Sequence, residues 1–326
     1  MREHASLDSQ YFVCPGPCRP RLLPARGLVV SLFAALILAG CARHDTAPPV
    51  EDSETSGRIS IAAAPDVRAL VAAEVRAFRS GYPQAVIDLR DPESSGQVIS
   101  ALLGGHADLA GAGRELEQEE RDMARQAGIE LEGHRIAKDA MCLVVSDANP
   151  VHNVTIGELR RIWTGEFADW ARLGGPEGRI VPVLPPLSSD LARAFSQRVM
   201  DGASMKAPTV IEVSDSAVAS TVARTRGAIG VVPLSLARSA GLRALAVAPL
   251  EGLPYVEPDM ESVHEGHYPL TRFINLYRRT RGARLAGGFI TFVSSQPGQE
   301  LVLASGRVPT AVPLRFVRRS PLLGSH

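Results

Sequence analysis

Hydroxyl and guanidinium groups stand next to apolar segments at positions where they could hold an anion. Ser94, Ser95 and Gly96 come directly before an apolar stretch whose spacing predicts a helix, so their hydroxyl and N–H groups can converge at its N-terminus. Arg114 follows a short apolar segment that predicts a core strand, and its charge could meet the same anion. A simpler interpretation, that Ser94 or Ser95 only caps the helix, stays open at this point.

No group of residues in the sequence indicates catalysis. The sequence has no G-x-S-x-G motif, and no Walker A or G-x-G-x-x-G motif follows a strand. Carboxylates and two histidines between residues 257 and 267 could ligate a metal, but a solvated loop is the favoured interpretation. We therefore expect a protein that is not an enzyme, with no catalytic residue, no metal and no cofactor.

An uncharged apolar run lies near the N-terminus, at residues 28–38, and Arg19, Arg21 and Arg26 stand shortly before it. This run is too short to span a bilayer as a helix, and a basic segment before a short apolar one indicates a secretory signal. The tetrapeptide Leu-Ala-Gly-Cys that ends at Cys41 resembles the lipobox of bacterial lipoproteins. The resemblance implies cleavage before Cys41 and a lipid on its sulfur. An ordinary signal peptide with a chance cysteine is the alternative.

These features divide the N-terminal part of the chain. We assign residues 1–40 to a signal peptide, longer than such a segment needs, as if the start codon were placed too early. Residues 41–57 are polar and predict a lipidated, flexible tether. The protein is expected in the cell envelope, exported and anchored to a membrane by lipid.

Composition and charge restrict the partners of the chain. Its 326 residues exceed the usual size of one domain, about 150 residues. Lys and Arg total 35 and Asp and Glu total 35, so the formal net charge is zero, which argues against a nucleic-acid partner. The 45% of hydrophobic residues suffice for a sizeable core, and short apolar runs alternate with amphipathic stretches.

This alternation predicts an α/β fold with mostly parallel sheets. One predicted helix has an apolar face formed by Val67, Leu70, Val71, Val75 and Phe78, and another begins at Thr155 with Glu158 at the capping-box position. Cys142 lies in an apolar run, which predicts a buried thiol.

Short motifs occur in a fixed order between residues 59 and 309. They are Glu93-Ser94-Ser95-Gly96, Gly104 to Ala110 with Gly113-Arg114, Ala137-Lys138-Asp139-Ala140, Trp163-Thr164-Gly165 with Trp170, Gly227-Ala228-Ile229-Gly230, Gly266 to Arg272, and Gly306-Arg307-Val308-Pro309. Their order resembles that of the phosphate-type periplasmic binding proteins, the solute receptors of ABC importers.

The resemblance implies a type II periplasmic-binding-protein fold, with two α/β lobes joined by two hinge crossings. We expect the crossings at residues 137–140 and 230–234. Lobe I then comprises 58–137 and 234–315, lobe II comprises 138–233, and 316–326 form a tail. The ligand would lie between the lobes, where hinge closure buries it.

The resemblance also implies partners. They are a small oxyanion such as phosphate, an ABC permease, and the membrane through the lipid on Cys41; a monomer is expected. The alternative is an envelope sensor or interaction protein without transport, built on an altered binding-protein fold.

Four loops surround the anion in this family, and two are altered here. The first, usually Gly-Ser-Thr-Thr-Val, has Ala64 and Asp66 in place of hydroxyls. We expect Asp66 to cap the helix that follows, and beside an anion its carboxylate would repel it. The fourth, usually Arg-x-x-x-Ser-Gly-Thr, keeps only Ser189, and Asp190 replaces the glycine. Ser94, Ser95 and Gly96 match the second loop. Arg114 matches the charged position of the third, in which Gly113 replaces the usual serine. We therefore expect a degenerate phosphate site, with Arg114 partly neutralised by Asp66 or Asp190.

Overall fold

The computed structural model describes residues 51–91 and 94–311. The predicted signal peptide, the lipid site at Cys41, most of the predicted tether and the predicted tail lie outside the described residues.

Helices and strands alternate along most of the described chain, as the apolar pattern predicts. The strands are β1 (Gly57–Ala63), β2 (Ala85–Arg90), β3 (Leu109–Ala112), β4 (Leu131–Ser146), β5 (Asn153–Thr155), β6 (Val181–Leu184), β7 (Val210–Ile211), β8 (Ala228–Pro233), β9 (Leu242–Ala244), β10 (Ala246–Ala248), β11 (Thr271–Arg279) and β12 (Val308–Pro309). The α-helices are α1 (Pro65–Gly81), α2 (Ser95–Leu103), α3 (Gln118–Gln126), α4 (Ile156–Thr164), α5 (Asp190–Phe195), α6 (Asp215–Arg224), α7 (Met260–Glu265), α8 (Arg284–Ser294) and α9 (Gln296–Ala304).

Lobe I is built on a mixed sheet with the strand order β2-β1-β3-β11-β4. The first three strands are parallel, and β11 runs antiparallel to both of its neighbours. Helix α1 begins at Pro65, whose missing N–H costs nothing at this position, and packs its predicted apolar face into the core of this lobe. The first and third of the four predicted anion-binding loops follow directly after the carboxyl ends of β1 and β3.

One long strand, β4, runs from lobe I into lobe II. Up to Ala140 it pairs with β11, and from Met141 to Val145 it pairs with β8. Lobe II continues from there in the order β4-β8-β6-β7. We propose that the first crossing lies where the partner of β4 changes, next to the expected residues 137–140.

A second apolar core belongs to lobe II. Trp163 and Trp170 lie within it, with 0% and 3% of their surface exposed, and Phe195 packs against Trp163 at a ring-centroid distance of 4.7 Å. The free thiol of Cys142 is buried in the same core, as its apolar neighbours predict. Thr155 caps α4 and forms the predicted capping box with Glu158.

We propose that the second crossing lies near residue 270 and not at the expected residues 230–234. Strand β8 does reach the hinge, where the Leu234 N–H donates a hydrogen bond of 3.1 Å to Asp139. The chain then returns into lobe II: β9 pairs with β4, β10 pairs with β5, and apolar residues up to Leu270 complete the second core. We propose that lobe I comprises 51–140 and 271–311, and that lobe II comprises 141–270.

Residues at the end of the predicted tether also pack on lobe I. The Asp52 carboxylate accepts hydrogen bonds from the backbone N–H groups of Arg284 (2.9 Å) and Leu285 (3.3 Å) at the start of α8. The residue that precedes α8, Ala283, has no side chain able to cap it. Asp52 supplies the missing hydrogen-bond acceptor, so this polar residue of the predicted tether caps α8.

Candidate functional site

Three of the predicted site residues meet between the lobes. The Ser95 hydroxyl, on the first turn of α2 in lobe I, donates a short hydrogen bond to Oδ2 of Asp190, the first residue of α5 in lobe II. The Gly113 N–H, directly after β3, donates to the same oxygen at 2.6 Å. The guanidinium Nε of Arg114 lies 3.4 Å from the other oxygen, Oδ1. We call Ser95, Gly113 and Arg114 the cleft donors.

The remaining predicted residues are close by, but they do not contact the carboxylate. Ser94 caps α2 by accepting from the Gln97 N–H at 3.4 Å, and Ser189 caps α5 by accepting from the Ala192 N–H at 3.2 Å. The Ala64 N–H donates to the Gly111 carbonyl at 2.9 Å and is not free for a ligand. Gly96 is half-buried in the first turn of α2. Each interpretation of the serines therefore applies to one of them: Ser94 caps the helix, and Ser95 faces the cleft.

Arg114 is held mainly by an acid of its own lobe. Its guanidinium makes a bidentate pair with Glu120 of α3, at 2.8 and 2.7 Å, and only 6% of the residue is exposed. Burial lowers the pKa of Arg114, but Glu120, with Asp190 and Glu117 further away, raises it above its usual value. Arg114 therefore stays charged, and only its Nε edge faces the cleft.

A second buried guanidinium, that of Arg272 on β11, was missed from the sequence. It donates to Asp66 at 2.8 Å and to Asp139 on β4 at 2.7 Å. Asp66, which the sequence assigned to a helix cap, forms this ion pair, and no side-chain cap of α1 is present. Burial acts to raise the pKa of Asp139, but the facing charges of Arg272 and Arg307 hold it below its usual value. The signal that could have found Arg272 is a charged residue directly before the apolar pair Phe273 and Ile274 of β11.

Gly113 allows these groups to pack together. A Cβ atom at this position would lie 2.6 Å from the Asp66 carboxylate, 2.8 Å from the Arg272 guanidinium and 3.2 Å from the Asp190 carboxylate. Any larger residue would push these charged groups apart. The glycine in place of the family's usual serine is therefore a requirement of this chain's own charge arrangement.

Asp190 is fully enclosed, with 1% of its surface exposed. Burial and the nearby Asp66 carboxylate raise its pKa to about 6, while the hydrogen bonds from Ser95 and Gly113 and the charge of Arg272 act in the opposite direction. The carboxylate is stabilised by donors of lobe I although it belongs to lobe II. It is thus an anion bound between the lobes.

A cavity of about 540 Å³ adjoins this network between α1 and the start of α6. Asp66, Asp215 and Arg307 line it together with serine hydroxyls and apolar side chains. Burial is the largest cause that raises the pKa of Asp215 to about 6. The Arg307 guanidinium donates to the Asp66 carbonyl at 2.7 Å, and its Nε has no partner among the described residues. The cavity is large enough for a small solute and carries charges of both signs.

The described residues hold no group of three or more His, Cys, Asp or Glu side chains able to bind a metal ion. Residues 257–267, where a solvated loop was the favoured interpretation, contain helix α7, which Asp259 and Ser262 cap. His267 lies 3.1 Å from Glu265 on the surface. In residues 51–91 and 94–311, no helix has the length and apolar character needed to cross a membrane.

Comparisons with known proteins agree with this architecture. The family model described as PBP superfamily domain matches residues 48–297. The phosphate-binding protein PstS of Bacillus subtilis is 27% identical over 259 residues, which cover 79% of this chain and 82% of that protein. The PstS of Pseudomonas aeruginosa strain PAO1 is 24% identical over 290 residues, 79% of this chain and 84% of that protein.

Solved structures of binding proteins have the same fold as this chain. A substrate-binding protein from Clostridium perfringens, crystallised with bound phosphate, superposes with a TM-score of 0.66 at 26% identity, covering 78% of this chain and all of that one. An ABC-type phosphate transport receptor from Vibrio cholerae gives a TM-score of 0.67 at 22% identity, covering 77% of this chain and all of that one. The expected two-lobed, type II binding-protein fold is confirmed.

Proposed function

This chain belongs to the PBP superfamily, and from that premise we propose that it is an extracytoplasmic receptor for a small oxyanion. The oxyanion would bind between the two lobes and pass to an ABC permease. The relatives named as phosphate-binding proteins support this class of function. They do not favour the alternative, an envelope sensor or interaction protein without transport.

One observation carries the proposal: three donors of lobe I converge on one anionic group at the cleft. A hydroxyl at the start of α2, a backbone N–H after β3 and a guanidinium surround a carboxylate there. Helix N-termini and backbone N–H groups bind oxyanions because their partial positive charges are fixed in place before the ligand arrives. The same donors suit phosphate, sulfate or another tetrahedral anion.

The charged groups around these donors support weaker binding of a phosphate dianion than the family's usual loops would give. Asp66 and Asp190 bring two carboxylates to the Gly113 loop, and the Arg114 and Arg272 guanidiniums are already paired with acids. The arginine and threonine of the family's fourth loop are Pro185 and Leu191 here. Each charge-assisted hydrogen bond contributes about 1.5–3 kcal/mol, so the loss of several weakens binding by orders of magnitude.

The remaining parts of the proposal concern the setting of the receptor. A lipid on Cys41 would hold the protein at a membrane, and the polar segment that follows would let the domain reach a permease. A monomer suits this role, because both lobes of the cleft come from one chain.

Titration calorimetry of the full-length chain with phosphate, sulfate and molybdate tests the proposal. We expect phosphate dissociation constants of micromolar or weaker, and a rise in melting temperature at millimolar oxyanion, because binding to the native state stabilises it by mass action. Chloride at equal ionic strength is the control. A submicromolar constant for phosphate would contradict the degenerate site. The absence of heat and of stabilisation with every oxyanion would contradict the receptor itself.

A further inference from the structure

The carboxylate of Asp190 lies where a bound anion would lie: one oxygen accepts two hydrogen bonds from lobe I, and the other makes an ion pair with Arg114 without a hydrogen bond. Oδ2 accepts from the Ser95 hydroxyl and from the Gly113 N–H at 2.6 Å, and Oδ1 faces Arg114 Nε at 3.4 Å. A hydroxyl, a backbone N–H and a cation are the donors that an external oxyanion would need. They already have a common partner within the chain.

The contacts of Asp190 also run from one lobe to the other. The donors belong to α2 and to the loop after β3 in lobe I, whereas α5 packs into the core of lobe II through Leu191 and Phe195. One turn further along α5, Arg193 donates to Glu117 of lobe I at 2.8 Å. This side of the cleft is therefore joined by contacts of the chain itself.

We propose that the Asp190 carboxylate acts as a built-in anion, which occupies the cleft donors and joins the lobes, so that a free oxyanion binds only by displacing it. The inference rests on the proposed function and specifies how the same site is controlled. A group tethered within the chain competes at a high effective concentration. The apparent affinity for a free ligand is reduced by the fraction of molecules in which the donors are occupied.

The charged groups around Asp190 make this competition depend on pH. Asp66 faces it from α1, Arg114 and Gly113 from the loop after β3, and Arg272 from β11, while Glu117 and Glu120 pair with Arg114 from the start of α3. Asp66 and burial raise the pKa of Asp190 to about 6. Protonation removes the charge that competes with the ligand, so an anion that stays doubly charged, such as sulfate, binds more tightly as the pH falls from 8 to 5.

The decisive experiment compares wild type with Asp190→Ala and Asp190→Asn, using the full-length chain. Calorimetry with phosphate at pH 8 measures affinity, and amide hydrogen exchange over residues 109–117 reports whether the Gly113 N–H is protected. We expect both variants to bind phosphate at least tenfold more tightly than wild type. We expect faster exchange in this segment without ligand and restored protection with phosphate. Sulfate affinity should rise at low pH in wild type and stay nearly constant in Asp190→Ala.

Asp259→Ala is the control. Asp259 also stands at the start of a lobe II helix, α7, where it accepts a hydrogen bond from the Ser262 N–H, but among the described residues it has no hydrogen bond or ion pair with the cleft donors and does not line the cavity. It should leave both the exchange of residues 109–117 and the pH dependence of sulfate binding as in wild type. Asp190→Asn keeps the size of the side chain and removes its charge, and melting temperatures close to the wild-type value show that both variants fold.

The outcomes separate this inference from the proposed function. If wild type binds phosphate tightly and the Asp190 variants bind it equally or more weakly, the receptor stands and the built-in anion is refuted. If none of the chains binds an oxyanion but exchange at residues 109–117 rises in both Asp190 variants, the carboxylate is confirmed as the internal partner and the oxyanion receptor fails. Unchanged exchange in both variants overturns the inference whatever the affinities.

Discussion

Replacing Glu74 with glutamine is predicted to stabilise the protein, and the gain should depend on pH. Glu74 lies in the middle of α1 with 0% of its surface exposed, and neither carboxylate oxygen has a hydrogen-bond partner in the described part of the chain. Burial without a partner raises its pKa from 4.5 to about 8. At neutral pH, folding therefore requires this carboxyl to take up a proton.

The size of the effect follows from the two pKa values. The unfolded chain releases the proton near pH 4.5 and the folded chain holds it up to about pH 8, so folding becomes less favourable as the pH rises through this window. At about 1.4 kcal/mol per pKa unit, the penalty is about 3 kcal/mol at pH 7 and approaches about 5 kcal/mol above pH 8. Below pH 4.5 both states are protonated and the penalty disappears.

Urea unfolding followed by circular dichroism from pH 4.5 to 9 measures this effect. Glu74→Gln should raise the free energy of unfolding by about 2–4 kcal/mol at pH 8, since the amide cannot ionise, and the difference from wild type should shrink towards zero near pH 4.5. Glu251→Gln, in an exposed turn, is the control and should change little at any pH. Equal stabilities of wild type and Glu74→Gln at pH 8, or a difference that does not vary with pH, would refute the reasoning.

The remaining predictions concern the charge network and the anchor. Arg272→Met should lower the free energy of unfolding by about 3–5 kcal/mol at pH 7 in urea titrations, because it leaves the buried Asp139 carboxylate without its guanidinium. Arg272→Lys should recover part of this loss, and a loss below about 1 kcal/mol for the methionine variant would contradict the assignment. Cys41→Ser should move the protein from the membrane fraction to the soluble fraction, as measured by fractionation and labelled fatty-acid incorporation; unchanged membrane association would argue against the lipid.

Local patterns predicted the elements and several of their ends. The apolar face of α1 and the capping box at Thr155 and Glu158 are present as expected, because each depends on residues within one or two turns of each other. We propose that the second crossing lies near residue 270 and not at 230–234, because the chain reaches the hinge with β8 and then returns into lobe II. Whether an apolar segment after residue 234 packs on one lobe or the other depends on which core has space for it, and no local pattern contains that information.

In the candidate site too, some contacts follow from the sequence and others only from the structure. The positions of Ser95, Arg114 and Asp190 were identified from the sequence, and so was the pairing of Arg114 with Asp190 as one of two options. The other option, Asp66, pairs instead with Arg272, which sequence reasoning did not consider as a site residue. These partners are far apart in sequence, and their choice is decided by which buried charges meet when the two lobes pack.

The sequence by itself determined the family and the alternation of strands and helices, and it predicts that the usual phosphate-binding residues are absent from the first and fourth loops. The tertiary structure alone decided that a carboxylate of lobe II lies on the donors of lobe I. The reason is physical: an amino-acid type specifies charge and hydrogen-bonding capacity, whereas burial and the direction of each donor arise only when distant segments exclude water together.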